Sequence, residues 1–131
     1  MPVYIILTKE KLIDEQMQKI SKKITEIHFR VTGTPLEYIT ATFMSGYQLK
    51  NQNKLTLLGN IRIGGNRTSI TIEKLKSELI NGIAAALKLD SSKIGIDFLG
   101  IKAHWVSKGN EVLTEPGQEN HLIINKKIKT I

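Results

Sequence analysis

Pro2 opens the run Pro2-Val3-Tyr4-Ile5-Ile6-Leu7, and its chemistry depends on the fate of the residue before it. An initiator methionine is expected to be removed before a side chain as compact as proline, leaving a secondary amine at the start of the chain. Such an amine acts as a base or an acid without the flexible stem of a lysine. An α-amino group titrates at roughly 7.7–8.0 in a model peptide. Proline's amine is intrinsically more basic, and nearby cations or burial pull such a group toward neutrality. The plainer alternative is that Pro2 is only the rigid first residue of an edge strand.

Arg62 and Arg67 flank Gly64-Gly65, where a strand pattern gives way to a helical one. A helix N-terminus presents unpaired N–H groups and partial positive charge at such a junction. Two guanidinium groups there can hold a carboxylate or phosphate through paired hydrogen bonds. No Gly-Lys-Ser/Thr follows the glycine pair, so the segment is not a Walker A loop. Two solvated arginines beside a turn are the alternative. His28 directly follows Ile27 of a helical apolar stripe. Its imidazole either assists in binding a substrate carboxylate or is a satisfied boundary residue. Thr32 and Thr34, around Gly33, offer hydroxyls and backbone amides that are ordinary turn chemistry on their own.

The elements that must position these residues repeat. Residues 3–8 are apolar and rich in Val, Tyr and Ile, as in a buried strand. Ile13, Met17, Ile20, Ile24, Ile27 and Val31 then recur in steps of four and three, the stripe of an amphipathic helix. Asp14 and Glu15 suit its start, and Gly33 followed by Pro35 ends it. Tyr38–Met44 alternates as a second strand, and 48–54 is a polar loop. The pattern restarts with a strand over Leu55–Ile63 and a turn at Gly64-Gly65-Asn66. A helical stripe of Ile72, Leu75, Leu79, Ile83 and Leu87 follows, then a strand over Ile94–Leu99.

The expected fold is therefore α+β. Two β-α-β units, residues 2–45 and 54–100, form a four-stranded mixed sheet with two helices on one face. The halves are not visibly homologous. The other sheet face would stay apolar and uncovered, which points to an oligomer or to a tail folded across it. Residues 101–131 supply that tail. Turn signals at Gly109-Asn110 and Pro116-Gly117 and the apolar-basic run 122–128 read as hairpin or strand material for subunit contacts.

Composition narrows the function classes. A chain of 131 residues suits one domain. Without cysteine there is no disulfide, zinc-thiolate site or thiol nucleophile. No apolar stretch approaches the roughly 18 residues of a membrane span, so a cytoplasmic protein with no membrane partner is expected. The net charge of +7 suits an anionic partner, either nucleic acid or small carboxylates. Scattered lysines and only 5% aromatic residues leave few stacking platforms, which argues against nucleic acid.

Taken in order, these residues resemble the tautomerase superfamily, in the branch that includes cis-chloroacrylic acid dehalogenase. The resemblance runs from Pro2 to about Glu119. It is carried by Pro2-Val3-Tyr4, by Lys23-Ile24-Thr25-Glu26-Ile27-His28 with Val31-Thr32-Gly33-Thr34, by Arg62 and Arg67, and by Glu115-Pro116-Gly117. It implies a pocket with Pro2 at its floor, and a small α-keto or unsaturated acid held by Arg62 and Arg67. His28 and Thr34 would assist, no metal or organic cofactor is needed, and the assembly would be a homotrimer. The dehalogenase's water-activating glutamate aligns with Lys108 and its assisting tyrosine with Asp97, with Glu111 and Glu115 as nearby alternatives. A lysine cannot serve as that carboxylate base, and its charge disfavours a protonated amine nearby. The resemblance thus implies a tautomerase more than a haloacrylate dehalogenase or hydratase. In that reading Lys108 or His28 hydrogen-bonds the substrate oxygen and Asp97 sits near the proline. A member without activity is the remaining alternative.

Overall fold

Alternation along the strands decides which face of the sheet the helices cover. The computed structural model describes residues 2–65, 67–102, 105, 107–109 and 111–112. In β1 (Val3–Thr8), Tyr4, Ile6 and Thr8 are buried while Val3, Ile5 and Leu7 are half-buried. The same period of two buries Leu55, Leu57 and Ile61 of β3 (Leu55–Ile63) and Ile94 and Ile96 of β4 (Ile94–Lys102). Beneath these residues lie helices α1 (Asp14–Thr32) and α2 (Ser69–Leu87), which meet along Ile20, Ile24, Ile27, Leu75, Leu79 and Ile83. Burying each such side chain stabilises the fold by roughly 1.5–3 kcal/mol.

The strand order is β2-β1-β3-β4, with β2 spanning Thr40–Met44. Pairing is parallel within each β-α-β unit and antiparallel between β1 and β3, the mixed sheet expected from the sequence. One expectation changes here. β1 lies inside the sheet, hydrogen-bonded on both sides, so Pro2 does not begin an edge strand. Two boundaries also move. After Pro35, residues Leu36–Tyr38 form a 3₁₀ turn, so β2 begins at Thr40 rather than Tyr38. β4 continues past Leu99 to Lys102 because β3 offers it partners as far as Ile63.

The helix ends follow local chemistry. The Ile13 N–H donates to Gln16 Oε1 at 3.0 Å, and Asp14 and Glu15 fill the first turn of α1. Gly33 closes α1 in the left-handed region (φ 76°), its N–H donating to the Phe29 carbonyl at 2.7 Å. Thr68 caps α2 by accepting from the Thr71 N–H at 3.2 Å.

The outward sheet face carries Val3, Ile5 and Leu7 at its centre, with Met44, Leu58 and Leu99 exposed around them. Among the described residues of the tail, β5 (Ser107–Lys108) and β6 (Glu111–Val112) form the hairpin expected at Gly109, whose φ is 64°. The expected turn at Pro116-Gly117 and the run 122–128 lie outside the described residues. Among the described residues, no helix is long and apolar enough to cross a membrane.

Candidate active site

The register of β1 against β3 brings the amino-terminal end of the chain to the first arginine. Val3 pairs with Asn60, so one step further sets Pro2 opposite Ile61, with Arg62 next along the strand. Neighbouring strands are about 4.8 Å apart, which puts the Pro2 and Arg62 backbones within one residue's reach. Pro2 is buried, and its carbonyl accepts a hydrogen bond from the Thr40 N–H at 3.0 Å. That bond fixes the end of β1 against β2.

Arg67 reaches the same end of the sheet through a tight turn. Gly64 and Gly65 adopt φ of 94° and 54°, on the positive side that glycine enters most readily. The Arg67 N–H then donates to the Gly64 carbonyl at 2.9 Å, folding Arg67 back beside the end of β3. Its guanidinium donates from Nη1 to the Thr32 carbonyl at 3.0 Å and from Nη2 to Thr34 Oγ1 at 2.7 Å. Thr32 Oγ1 in turn donates to the His28 carbonyl at 2.6 Å and lies 3.0 Å from Thr34 Oγ1. The carboxyl end of α1 is thereby tied to the loop that precedes α2.

His28 lies within the buried row of α1, not beside it, because 24, 28 and 32 follow the four-residue spacing that stacks side chains on one helix face. Its ring is 1% exposed, and Nδ1 lies 2.6 Å from the Tyr4 hydroxyl. The two rings meet edge to face, with centroids 5.6 Å apart. Phe98 packs edge-on against Tyr4 at 6.1 Å. Gly59 makes room for both, since a Cβ there would lie 2.8 Å from the Phe98 ring and 3.0 Å from that of Tyr4.

Arg62 and Arg67 are 8% and 5% exposed, so neither is the solvated surface arginine that the sequence left open. Burial, then the Arg67 guanidinium, the amino-terminal charge and Arg62, hold the His28 imidazole well below its ordinary pKa of 6.5, at about 3. Burial raises the Tyr4 phenol, partly offset by Arg67. Both rings are therefore neutral at physiological pH. A stability consequence follows. The unfolded imidazole takes up a proton below about pH 6.5, while the folded one does so only near pH 3. Between those values the unfolded state binds more protons, so stability falls as pH falls. Between pH 7 and 5 the loss through His28 is about 2 kcal/mol. Urea midpoints at both pH values in the wild type and in His28→Gln measure it. The variant should lose that share of the slope, and an unchanged slope contradicts the assignment.

The structure thus brings Pro2, His28, Thr34 and Arg67 to one end of the sheet, while Arg62, buried next along β3 on the alternate strand face, acts on His28 through its charge. It does not bring Asp97 to them within the protomer. Asp97 is exposed and pairs with Leu58, on the sheet face opposite the one that carries Tyr4. The backbone of Lys108 lies in β5, and its side chain, the side chain of Glu111 and all of Glu115 fall outside the described residues. Tyr4 is the member that sequence reasoning did not single out. Its signal was present, because strand alternation puts residue 4 on the same face as residue 2.

No family model and no curated protein matches the sequence. Solved structures do match the fold. A protein called N1, from the cis-3-chloroacrylic acid dehalogenase family, superposes with a TM-score of 0.79 at 15% identity, over 98% of this chain and 99% of its own. A fused 4-OT, solved as an asymmetric trimer, matches at 0.70 with 14% identity, over 84% and 94% of the two chains. Pt0534, inactivated by 2-oxo-3-pentynoate, matches at 0.68 with 15% identity, over 85% and 94%. This chain therefore shares the fold of these proteins, the tautomerase-like fold that the resemblance carried by its sequence led one to expect.

Proposed function

We propose that the chain is a cofactor-independent tautomerase of small α-keto or enol carboxylic acids, with Pro2 as its proton carrier once Met1 is removed. The observation that carries this reading is the convergence of Pro2, Arg62, Arg67 and His28 at one end of the sheet, around buried polar groups. The guanidiniums hold the substrate carboxylate and draw electron density toward it. Cations near an amine favour its neutral form, the form a general base needs.

In ketonisation of an enol acid, the neutral amine takes the proton of the enol hydroxyl and becomes an ammonium. The resulting enolate oxygen is stabilised by the neutral His28 N–H and the guanidinium charge. The ammonium then returns its proton to the adjacent carbon, so the C=C double bond becomes C=O and the amine is regenerated. The exposed apolar strip of the sheet and the trimeric state of the fused 4-OT structure support a homotrimer.

A haloacrylate dehalogenase is the second reading, favoured by the likeness to N1. It requires a carboxylate to activate water, and Lys108 stands where that family's glutamate aligns. Parallel assays separate the two. Loss of enol absorbance from phenylenolpyruvate above the uncatalysed rate, without halide release from cis-3-chloroacrylate, is the expected pair of results. Halide release without ketonisation overturns the tautomerase reading.

A further inference from the structure

A buried phenol must place its proton somewhere. Tyr4 is fully buried between Phe98 and His28, with Gly59 leaving both rings their space. Among the described residues, the hydrogen-bond partner of its hydroxyl is His28 Nδ1, at 2.6 Å. A phenol that keeps its proton and is cut off from water donates to the acceptor it has, because an unused buried donor is costly. Nδ1 accepts only when it carries no proton, and a neutral imidazole then bears its proton on Nε2.

We infer that Tyr4 is a positioning residue: its hydroxyl donates to Nδ1, locks His28 in the Nε2–H form and so turns that ring into a hydrogen-bond donor toward the substrate oxygen. The role that His28 then plays rests on the tautomerase reading above. The lock itself rests only on the Tyr4–His28 geometry. Neutrality matters to its use. A neutral ring beside two guanidiniums donates a hydrogen bond without adding a third positive charge to the site. Because Tyr4 lies two residues on from Pro2, the strand that starts directly after the proposed base also sets the donor. The second tether acts on the backbone of the ring-bearing residue, where Thr32 Oγ1 donates to the His28 carbonyl at 2.6 Å. Tyr4 therefore governs the tautomer and Thr32 restrains the helix turn that carries the ring.

The test is the ring-nitrogen NMR spectrum of ¹⁵N-histidine-labelled protein, read for His28 after assignment with His28→Gln. The wild type should show Nε2 protonated and Nδ1 bare across the pH range 5.5–8, with no titration. A His28 spectrum with the proton on Nδ1 overturns the inference, without need of any variant. In Tyr4→Phe the same spectrum should shift toward the Nδ1–H form or a mixture. Its kcat for phenylenolpyruvate should fall about tenfold with KM nearly unchanged, as expected when an interaction specific to the transition state is lost. An unchanged tautomer in Tyr4→Phe also overturns the inference. If the wild type turns over no enol acid, the tautomerase reading fails while the spectrum still decides the lock.

Discussion

Pro2→Ala is expected to lower kcat/KM for phenylenolpyruvate about a hundredfold, the lower end of what a positioned general base contributes. The lower end applies because alanine in second place also permits removal of Met1 and leaves a primary amine at the same point of the chain. What changes is the rigidity and basicity of that amine. Proline's ring fixes φ and holds the nitrogen in one orientation, whereas an alanine amine rotates. The fold should not suffer, since the contact described for residue 2 is its carbonyl accepting from the Thr40 N–H, and alanine keeps that carbonyl. Circular dichroism and oligomeric state should match the wild type. Steady-state kinetics on the enol acid check the effect, and a Pro2→Ala enzyme of undiminished kcat/KM would remove the amine from the mechanism.

Arg67→Ala carries a double consequence, because the same guanidinium is architectural and, in the proposed mechanism, chemical. Its donors satisfy the Thr32 carbonyl and Thr34 Oγ1, both in buried residues. Truncation removes charge-assisted hydrogen bonds and leaves their acceptors unmet, a loss on the order of 3 kcal/mol. Activity should fall more than tenfold in kcat/KM even where the protein remains folded, since one arm of the proposed carboxylate clamp is gone. Arg67→Lys separates the two contributions. Lysine keeps the charge but cannot reach two acceptors as a planar fork does, so it should recover binding only in part and little of the stability. Urea unfolding together with kinetics on both variants measures this. A stable Arg67→Ala protein with normal kcat/KM would place the anion clamp elsewhere.

These residues also show how far the sequence could be read. The strand and helix periods were legible because each element buries one face, so Ile20, Ile24, Leu75 and Leu79 announced themselves by spacing. The β-α-β repeat followed from them. Which strands join the two units was not legible, because the long-range pairing of β1 with β3 leaves no local mark. It is that join which moves Pro2 from an edge into the sheet and sets it beside Arg62. His28 looked like a boundary residue because it follows Ile27. Its true neighbours are four residues away on each side, Ile24 and Thr32. Arg62 and Arg67 were legible as a pair flanking glycines, but their burial was not. The tie from Arg67 to Thr32 and Thr34 spans more than thirty residues of chain. Asp97 aligned with a functional position by ungapped spacing, yet strand alternation turns it to the exposed sheet face. Periodicity reports which face a residue shares, and only the completed sheet reports which residues meet across it.

Intact and peptide mass spectrometry after treatment with 2-oxo-3-pentynoate bears most directly on the central claim, that an unblocked Pro2 nitrogen lies in a carboxylate-binding site. The nitrogen adds to the alkyne, its proton moves to the neighbouring carbon, and the whole mass of the reagent is retained. The expected result is a chain lacking Met1 that bears one adduct, mapped to the peptide beginning at Pro2 and strongly reduced in Arg67→Ala. A chain that retains Met1, or a Met1-free chain whose Pro2 stays unlabelled while other residues react, contradicts the claim.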